Sequence, residues 1–278
     1  MSSAPTLVIA ALKSATGYPL DTMQALSKLL ESVVAEMYRS AEAPTEKSVH
    51  DLRVSVNRAT AALRIFESEI PHARRLRKKL KQMRKRAAAV RDRDVIRQLL
   101  LRHRLSSSDP ACIYLLGQRD LAAEQLQTFL RIQLERELFP SLEKVDRNPR
   151  IRIEAPIREF LANGRIAAES TNVAELHSFR KAAKRLRYTI EILDPDGGSK
   201  WLARLRRVQE ELGQMHDANV TEQFLRALPS RSRSAKLIPA QLNAKAQAHI
   251  AAFRKTWKRG FSEGSGKAWL SWARSVEQ

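Results

Sequence analysis

Residues 176–193 read LHSFRKAAKRLRYTIEIL, and two stripes run through them at one helical pitch. Leu176, Phe179, Ala183, Leu186, Ile190 and Leu193 recur at steps of three and four, the spacing of a buried helix face. His177, Arg180, Lys184 and Arg187 keep that rhythm one residue later. At about 100° per residue, the second stripe stands on the shoulder of the first, beside the seam that becomes core.

The pattern recurs upstream. When residues 49–66 are shifted by 127 positions, VHDLRVSVNRATAALRIF falls on LHSFRKAAKRLRYTIEIL. His50 meets His177, Arg53 meets Arg180, Arg58 meets Arg185, and the apolar positions coincide. On a wheel with His50 at zero, Val49, Leu52, Val56, Leu63 and Phe66 centre near roughly 210°, and His50, Arg53, Asn57, Thr60 and Arg64 lie within roughly 280° to 360°. Arg58 and Arg185 fall on the far, solvated side. The next helix repeats at a shift of 125, with Leu80 on Leu205, Asp92 on Asp217 and Val95 on Val220. Its core stripe is Leu76, Leu80, Met83, Ala87 and Val90 in the first copy, and Leu202, Leu205, Val208, Leu212 and Met215 in the second. Arg77, Lys81, Arg84 and Arg91 run along the first shoulder, with Arg206, Gln209, Gly213 and His216 on or near the second. The neighbouring matches imply an internal duplication, each half a bundle of about four helices.

Strand-like alternation is nearly absent, so the expected fold class is all-α: two four-helix-bundle-like halves, with shoulder cations on adjacent helices converging on a basic groove. Periodicity predicts helices over 20–39, 46–69, 72–104, 111–139, 151–163, 172–193, 199–227 and 236–260, with a short closing helix after a joint. Pro44, Pro71, Pro110, Pro140, Pro195 and Pro239 are read as boundaries, and DPDGG (194–198) and SSSDP (106–110) as turns. The expected division is an N-terminal segment 1–19, a main domain 20–261 with halves 20–140 and 151–261, and a C-terminal tail 262–278.

The chain of 278 residues carries 50 Lys+Arg against 30 Asp+Glu, a formal net charge of +20, while 43% of residues are apolar. It therefore has a core to bury, and a folded surface this basic suits a polyanion: nucleic acid, an anionic membrane face or a phosphate polymer. Its one cysteine, Cys112, excludes an internal disulfide. The apolar run Leu7–Leu12 is shorter than a signal peptide's, and no stretch suits a bilayer span, so a cytoplasmic address without membrane insertion is expected.

A single charged helix stripe is ordinarily a solvated face. Four related stripes beside core seams weigh instead towards a ligand groove. Cations four residues apart stand roughly 6 Å apart along a helix and can track successive charges of an extended polyanion. Arginine brings forked donors that match phosphate oxygens, and lysine a mobile point charge. The two histidines either contact the ligand or bond a neighbouring backbone group or acid. The six histidines make no HxxxH or HExxH pattern, and one cysteine builds no thiolate site, so no metal or other cofactor is expected. GxxxxGK[ST], GxGxxG and GxSxG motifs are absent, and the expectation is that the protein is no enzyme. Asp92 and Asp217 read as partners for arginines or helix ends, and Tyr188 as partly packed with its hydroxyl towards the groove. A nucleic-acid binder is the alternative, weakened by 6% aromatics with no interleaved stacking set. A phosphate-polymer hydrolase is the lesser one.

VHDLRVSVNR (49–58), VRDRDV (90–95), LHSFRKAAKRLRYTIE (176–191) and LGQMHDANV (212–220) resemble the CHAD family, the conserved histidine α-helical domain. The resemblance covers roughly residues 20 to 261. It implies two helical bundles related by pseudo-symmetry with a basic channel or groove between them, and binding of inorganic polyphosphate in association with polyphosphate granules; granule-associated proteins are candidate further partners. It carries the phosphate-contacting role to His50, Arg53, His177, Arg180, Lys184 and Arg187. The wheel adds Asn57, Arg64, Arg77, Lys81, Arg84 and Arg206 to the candidate polyphosphate-binding set. The pattern departs at Asn57 and Thr60, where the family often has arginines, although the run ARRLRKKLKQMRKR (73–86) adds charge nearby. The ExExK signature of an attached triphosphate-tunnel domain is not found.

Overall fold

The computed structural model describes residues 20–65, 67, 70, 72–136, 153–193, 199–228, 232–261 and 263–276. The segment 1–19, Phe66, Pro71, Pro140, the DPDGG joint and the side chain of Leu193 lie outside these described residues. Among the described residues the chain is all-α, with no strand. The helices are α1 (Leu20–Glu42), α2 (Glu46–Ile65), α3 (Ala73–Arg102), α4 (Pro110–Glu135), α5 (Glu154–Glu169), α6 (Val173–Leu193), α7 (Ser199–Ala227), α8 (Arg233–Gly260) and α9 (Glu263–Val276). None of them is long and apolar enough to cross a membrane.

Each helix forms where its apolar rhythm runs. Leu26, Leu30, Val33, Met37 and Ala41 bury one face of α1, and Val49, Leu52, Val56, Ala59 and Leu63 one face of α2. The helix ends follow local chemistry. Pro110 is the first residue of α4, where its missing N–H costs nothing, and the Asp109 carboxylate accepts from Ala111 N at 2.9 Å. Pro239 does not bound α8 as its presence suggests. The helix runs through it from Arg233, because Ser232 Oγ caps it by accepting from Ala235 N at 3.1 Å, and Ala235 and Ile238 already lie in the core. Helix α2 ends at Ile65, so Glu67, expected in the helix, stands in the connection to α3.

The chain divides into two compact units. Unit 1 is Met1–Asp94 with Leu116–Arg150, and unit 2 is Val95–Leu115 with Ile151–Gln278. The boundary therefore falls inside α3 and α4. The reason is where the apolar side chains go: Ile96, Leu100, Leu105, Ala111, Cys112 and Leu115 belong to the core of unit 2. Within unit 1, α1 packs on α2.

Within unit 2, α8 packs along α7, α7 on α6, α6 on α5, and α9 on α5. An aromatic nest fixes these helices. Phe160 of α5 has its ring centroid 5.1 Å from Phe179, 5.5 Å from Trp257, 5.4 Å from Phe261 and 5.3 Å from Trp269. Gly164 is glycine because the Trp257 ring lies against its backbone, in the space any Cβ would need. Helix α9 is no appended tail. Trp269 is fully buried, stacked on Trp201 at 5.1 Å, and Ala273 is buried with it. Trp269→Ala is expected to destabilise unit 2 by about 3–5 kcal/mol, the cost of emptying a buried aromatic site. Urea denaturation followed by tryptophan fluorescence and circular dichroism checks this; a change below about 1 kcal/mol would make α9 peripheral.

Candidate functional site

Burial of Leu176, Phe179, Ala183, Leu186 and Ile190 sets the azimuth of every other side chain on α6. His177, Arg180, Lys184 and Arg187 are all half-buried along the seam, while Lys181 and Arg185 point into solvent. The shoulder geometry thus holds in unit 2. Helix α7 completes it. The guanidinium of Arg180 lies over Gly213, its Nε and Nη2 each 3.9 Å from the position a Cβ would take there. Gln209 Nε2 donates to Ala183 O at 2.9 Å and ties the two helices between these cations. The His216 ring lies 4.4 Å from that of His177.

His177 does not bond an acid or backbone group through Nδ1; that atom is buried without a hydrogen-bond partner. Burial, then the charges of Lys181 and Arg180, push its pKa below the ordinary histidine value. The ring therefore holds a proton weakly while no anion is near.

Further along α6, one carboxylate serves two arginines. Arg187 Nη1 is 3.5 Å and Arg206 Nη2 3.7 Å from Glu191 Oε1. Tyr188 is only 3% exposed, more deeply packed than its sequence position suggests. The Arg187 guanidinium lies 4.7 Å, and the Lys184 ammonium 5.9 Å, from its ring centroid. These cation–π contacts hold both cations close to the seam.

In unit 1, cations and acids pair between α2 and α3. His50 is exposed on α2 and Asn57 is half-buried. Arg53 Nη1 donates to Asp92 Oδ1 at 3.0 Å, which gives Asp92 the arginine-pairing role expected of it. Arg91 Nη1 donates in turn to Glu46 Oε1 at 3.0 Å, so two opposed ion pairs join α2 and α3. The motif VRDRDV is an ion-pair hub. Its buried Asp94 accepts from Arg119 Nε of α4 at 3.0 Å, and burial, outweighing Arg119, pushes the Asp94 carboxyl up. Thr60 Oγ1 donates to Val56 O at 2.6 Å, a bond within α2. Arg64 stands exposed in the last turn of α2, and Lys81 and Arg84 stand exposed on α3. Arg77 is half-buried and turned towards Glu67, which it contacts directly.

The structure therefore brings His177, Arg180, Lys184, Arg187 and Arg206 into one strip at the α6–α7 seam, with His216 as a member absent from the candidate set. Its signal was its place on the α7 shoulder. That it meets His177 depends on how α7 docks on α6, which spacing does not give.

The CHAD domain model matches residues 24–226. No curated protein matches the sequence. PptA from Streptomyces chartreusis has a similar structure, with a TM-score of 0.60 at 18% identity over 86% of this chain and 99% of that one. The crystal structure of the CHAD domain from the plant Ricinus communis gives a TM-score of 0.64 at 21% identity, over 87% of this chain and 94% of that one. At these identities the likeness is one of fold. The sequence match reaches from α1 to the end of α7 and takes in both histidine helices, and the chain belongs to the CHAD domain family.

Proposed function

We propose that this protein binds inorganic polyphosphate without transforming it, and that it resides in the cytoplasm at polyphosphate granules, where granule proteins are further partners. The observation that carries this reading is the strip in unit 2. Arg180, Lys184 and Arg187 are held half-buried beside His177, with their stems packed on the seam. Cations already fixed in place lose little conformational entropy when a ligand arrives. Their spacing along α6 matches an extended chain of charges, and Glu191 offsets only part of the charge of Arg187 and Arg206. The family resemblance points to the same polymer, and within unit 1 α2 and α3 carry further cations along the first copy of the pattern.

Tyr188 favours polyphosphate over nucleic acid. It is the aromatic residue of the α6 strip, yet it is buried beneath Lys184 and Arg187 and offers no face to a base. Asp92 is engaged by Arg53, an orienting role and not that of a general base.

Arg180→Glu with Lys184→Glu is expected to weaken binding to long polyphosphate by more than about tenfold and to flatten its salt dependence, with helical circular dichroism unchanged. Fluorescence anisotropy over a salt series reads both effects, and undiminished affinity in the folded variant overturns the site. Unlabelled polyphosphate is expected to displace DNA far better than the reverse. Incubation of pure protein with polymer and magnesium or manganese is expected to release no phosphate; steady release would make it a hydrolase.

The histidine supplies a separate check. Because the His177 pKa is lowered in the folded chain, the unfolded chain takes up the proton more readily, and this contribution to stability is lost as pH falls below the ordinary value of about 6.5. A phosphate chain beside the ring counters Lys181 and Arg180 and raises that pKa, so binding takes up a proton and tightens as pH falls into the histidine range. An NMR titration is expected to place His177 below about 6.5 in the free protein and to move it upward at saturation with polymer. A value indifferent to polymer removes His177 from the contact surface.

A further inference from the structure

Within unit 1, α3 and α4 wall an open cavity of about 370 Å³. Arg86 of α3 and Glu124, Gln125, Thr128, Phe129 and Ile132 of α4 line it. The α4 residues fall on one stripe at helical spacing, the stripe turned away from the core. Ala122, Ala123, Leu126 and Leu130 are buried on the other side of that helix, while Glu124, Gln125, Thr128 and Ile132 are exposed.

The lining is mixed and not merely basic. The Arg86 guanidinium lies over the half-buried Phe129 ring, 4.7 Å from its centroid, and still borders the cavity. This contact holds the cation against an aromatic support. Glu124 borders the same space, yet no ion pair among the described residues joins it to Arg86 or to another cation. Elsewhere in unit 1, Asp92, Glu46 and Asp94 each hold an arginine. Thr128 Oγ1 donates to Glu124 O at 3.0 Å, which spends its proton on the backbone. Gln125 brings an amide donor and an amide acceptor.

These groups suit a purine base better than a bare phosphate. A phosphate is repelled by Glu124 and gains nothing from Phe129 or Ile132. A planar base stacks on an arginine and is read by hydrogen bonds along its edge. Guanine sets two N–H donors, at N1 and N2, side by side on one edge, and they match the two oxygens of a carboxylate. Adenine has an acceptor at N1 and meets that carboxylate with repulsion. The volume lies at the low end of small-ligand clefts, roughly 300–1,000 Å³, and suits one base. We propose that the cavity between α3 and α4 binds the guanine base of a mononucleotide, stacked on Arg86 and read by Glu124. The phosphate then faces the field of a chain whose formal net charge is +20. This site shares no residue with the α6–α7 strip and does not rest on the polyphosphate reading.

The experiment is calorimetric titration of the full chain with GMP, AMP, IMP and guanosine at fixed ionic strength. GMP is expected to bind at least about tenfold more tightly than AMP, with IMP, which lacks the N2 amino group, between them. Glu124→Gln is expected to shrink that preference to within about twofold, and Arg86→Ala to weaken GMP by roughly five- to tenfold. Lys85→Ala removes the same charge one residue away and is expected to change GMP affinity by less than about twofold. Equal effects of Arg86→Ala and Lys85→Ala reveal diffuse charge and overturn the site. So do equal affinities for GMP and AMP, a preference that survives Glu124→Gln, or no GMP binding at millimolar concentration. Displacement of GMP by inorganic phosphate but not by guanosine shows that only the phosphate is held, and also overturns it. If Arg86→Ala lowers the melting temperature, the selectivity of Glu124→Gln decides alone. Arg180→Glu with Lys184→Glu is expected to leave GMP affinity within about twofold. Loss of GMP binding there moves the nucleotide to the strip and sinks the cavity, whereas loss of polyphosphate binding alone bears only on the strip. A uridine-flanked guanine trinucleotide that binds more than about tenfold tighter than GMP makes the ligand a strand, and the mononucleotide assignment fails.

Discussion

Burying one apolar stripe per helix constrains everything else in this chain. Once Leu176, Phe179, Ala183, Leu186 and Ile190 face inward, a residue one position later than a core residue emerges at the edge of the seam. A long cationic side chain at such an edge lays its stem on apolar surface and keeps its head within reach of water. Position beside the core thus converts lysine and arginine from mobile surface charges into fixed ones.

Fixed cations repel one another, and the chain answers with single carboxylates placed between them. Glu191 lies between Arg187 and Arg206, Glu67 between Arg74 and Arg77, and Asp92 against Arg53. Each orients the guanidiniums beside it. In unit 1, Arg53 of α2 pairs with Asp92 and Arg91 of α3 with Glu46, while in unit 2 the Arg180 guanidinium lies over the backbone of Gly213.

Periodicity made the helices legible because a buried face leaves its mark at every third and fourth residue. The core stripes of α2, α3, α6 and α7 and the half-burial of Arg180, Lys184 and Arg187 follow from that mark alone. What stayed hidden depends on docking. Nothing in the spacing of Ile96, Leu100 and Leu115 says which neighbours cover them. His216 against His177, the depth of Tyr188 and the burial of Trp269 have the same origin. Glu67 was obscured differently: its place beside Arg74 and Arg77 needs α2 to stop at Ile65, where the apolar rhythm alone carries the helix further.

The assignment of residues 95–115 to the second unit has a consequence for how the protein is made. This helical hairpin emerges from the ribosome early, but the residues that cover Ile96, Leu100 and Leu115 lie in segments translated after residue 150. Through that interval its apolar side chains lack their native neighbours, and the nascent chain is exposed to aggregation or chaperone capture there. A cut between residues 140 and 151 separates the hairpin from the core it packs into.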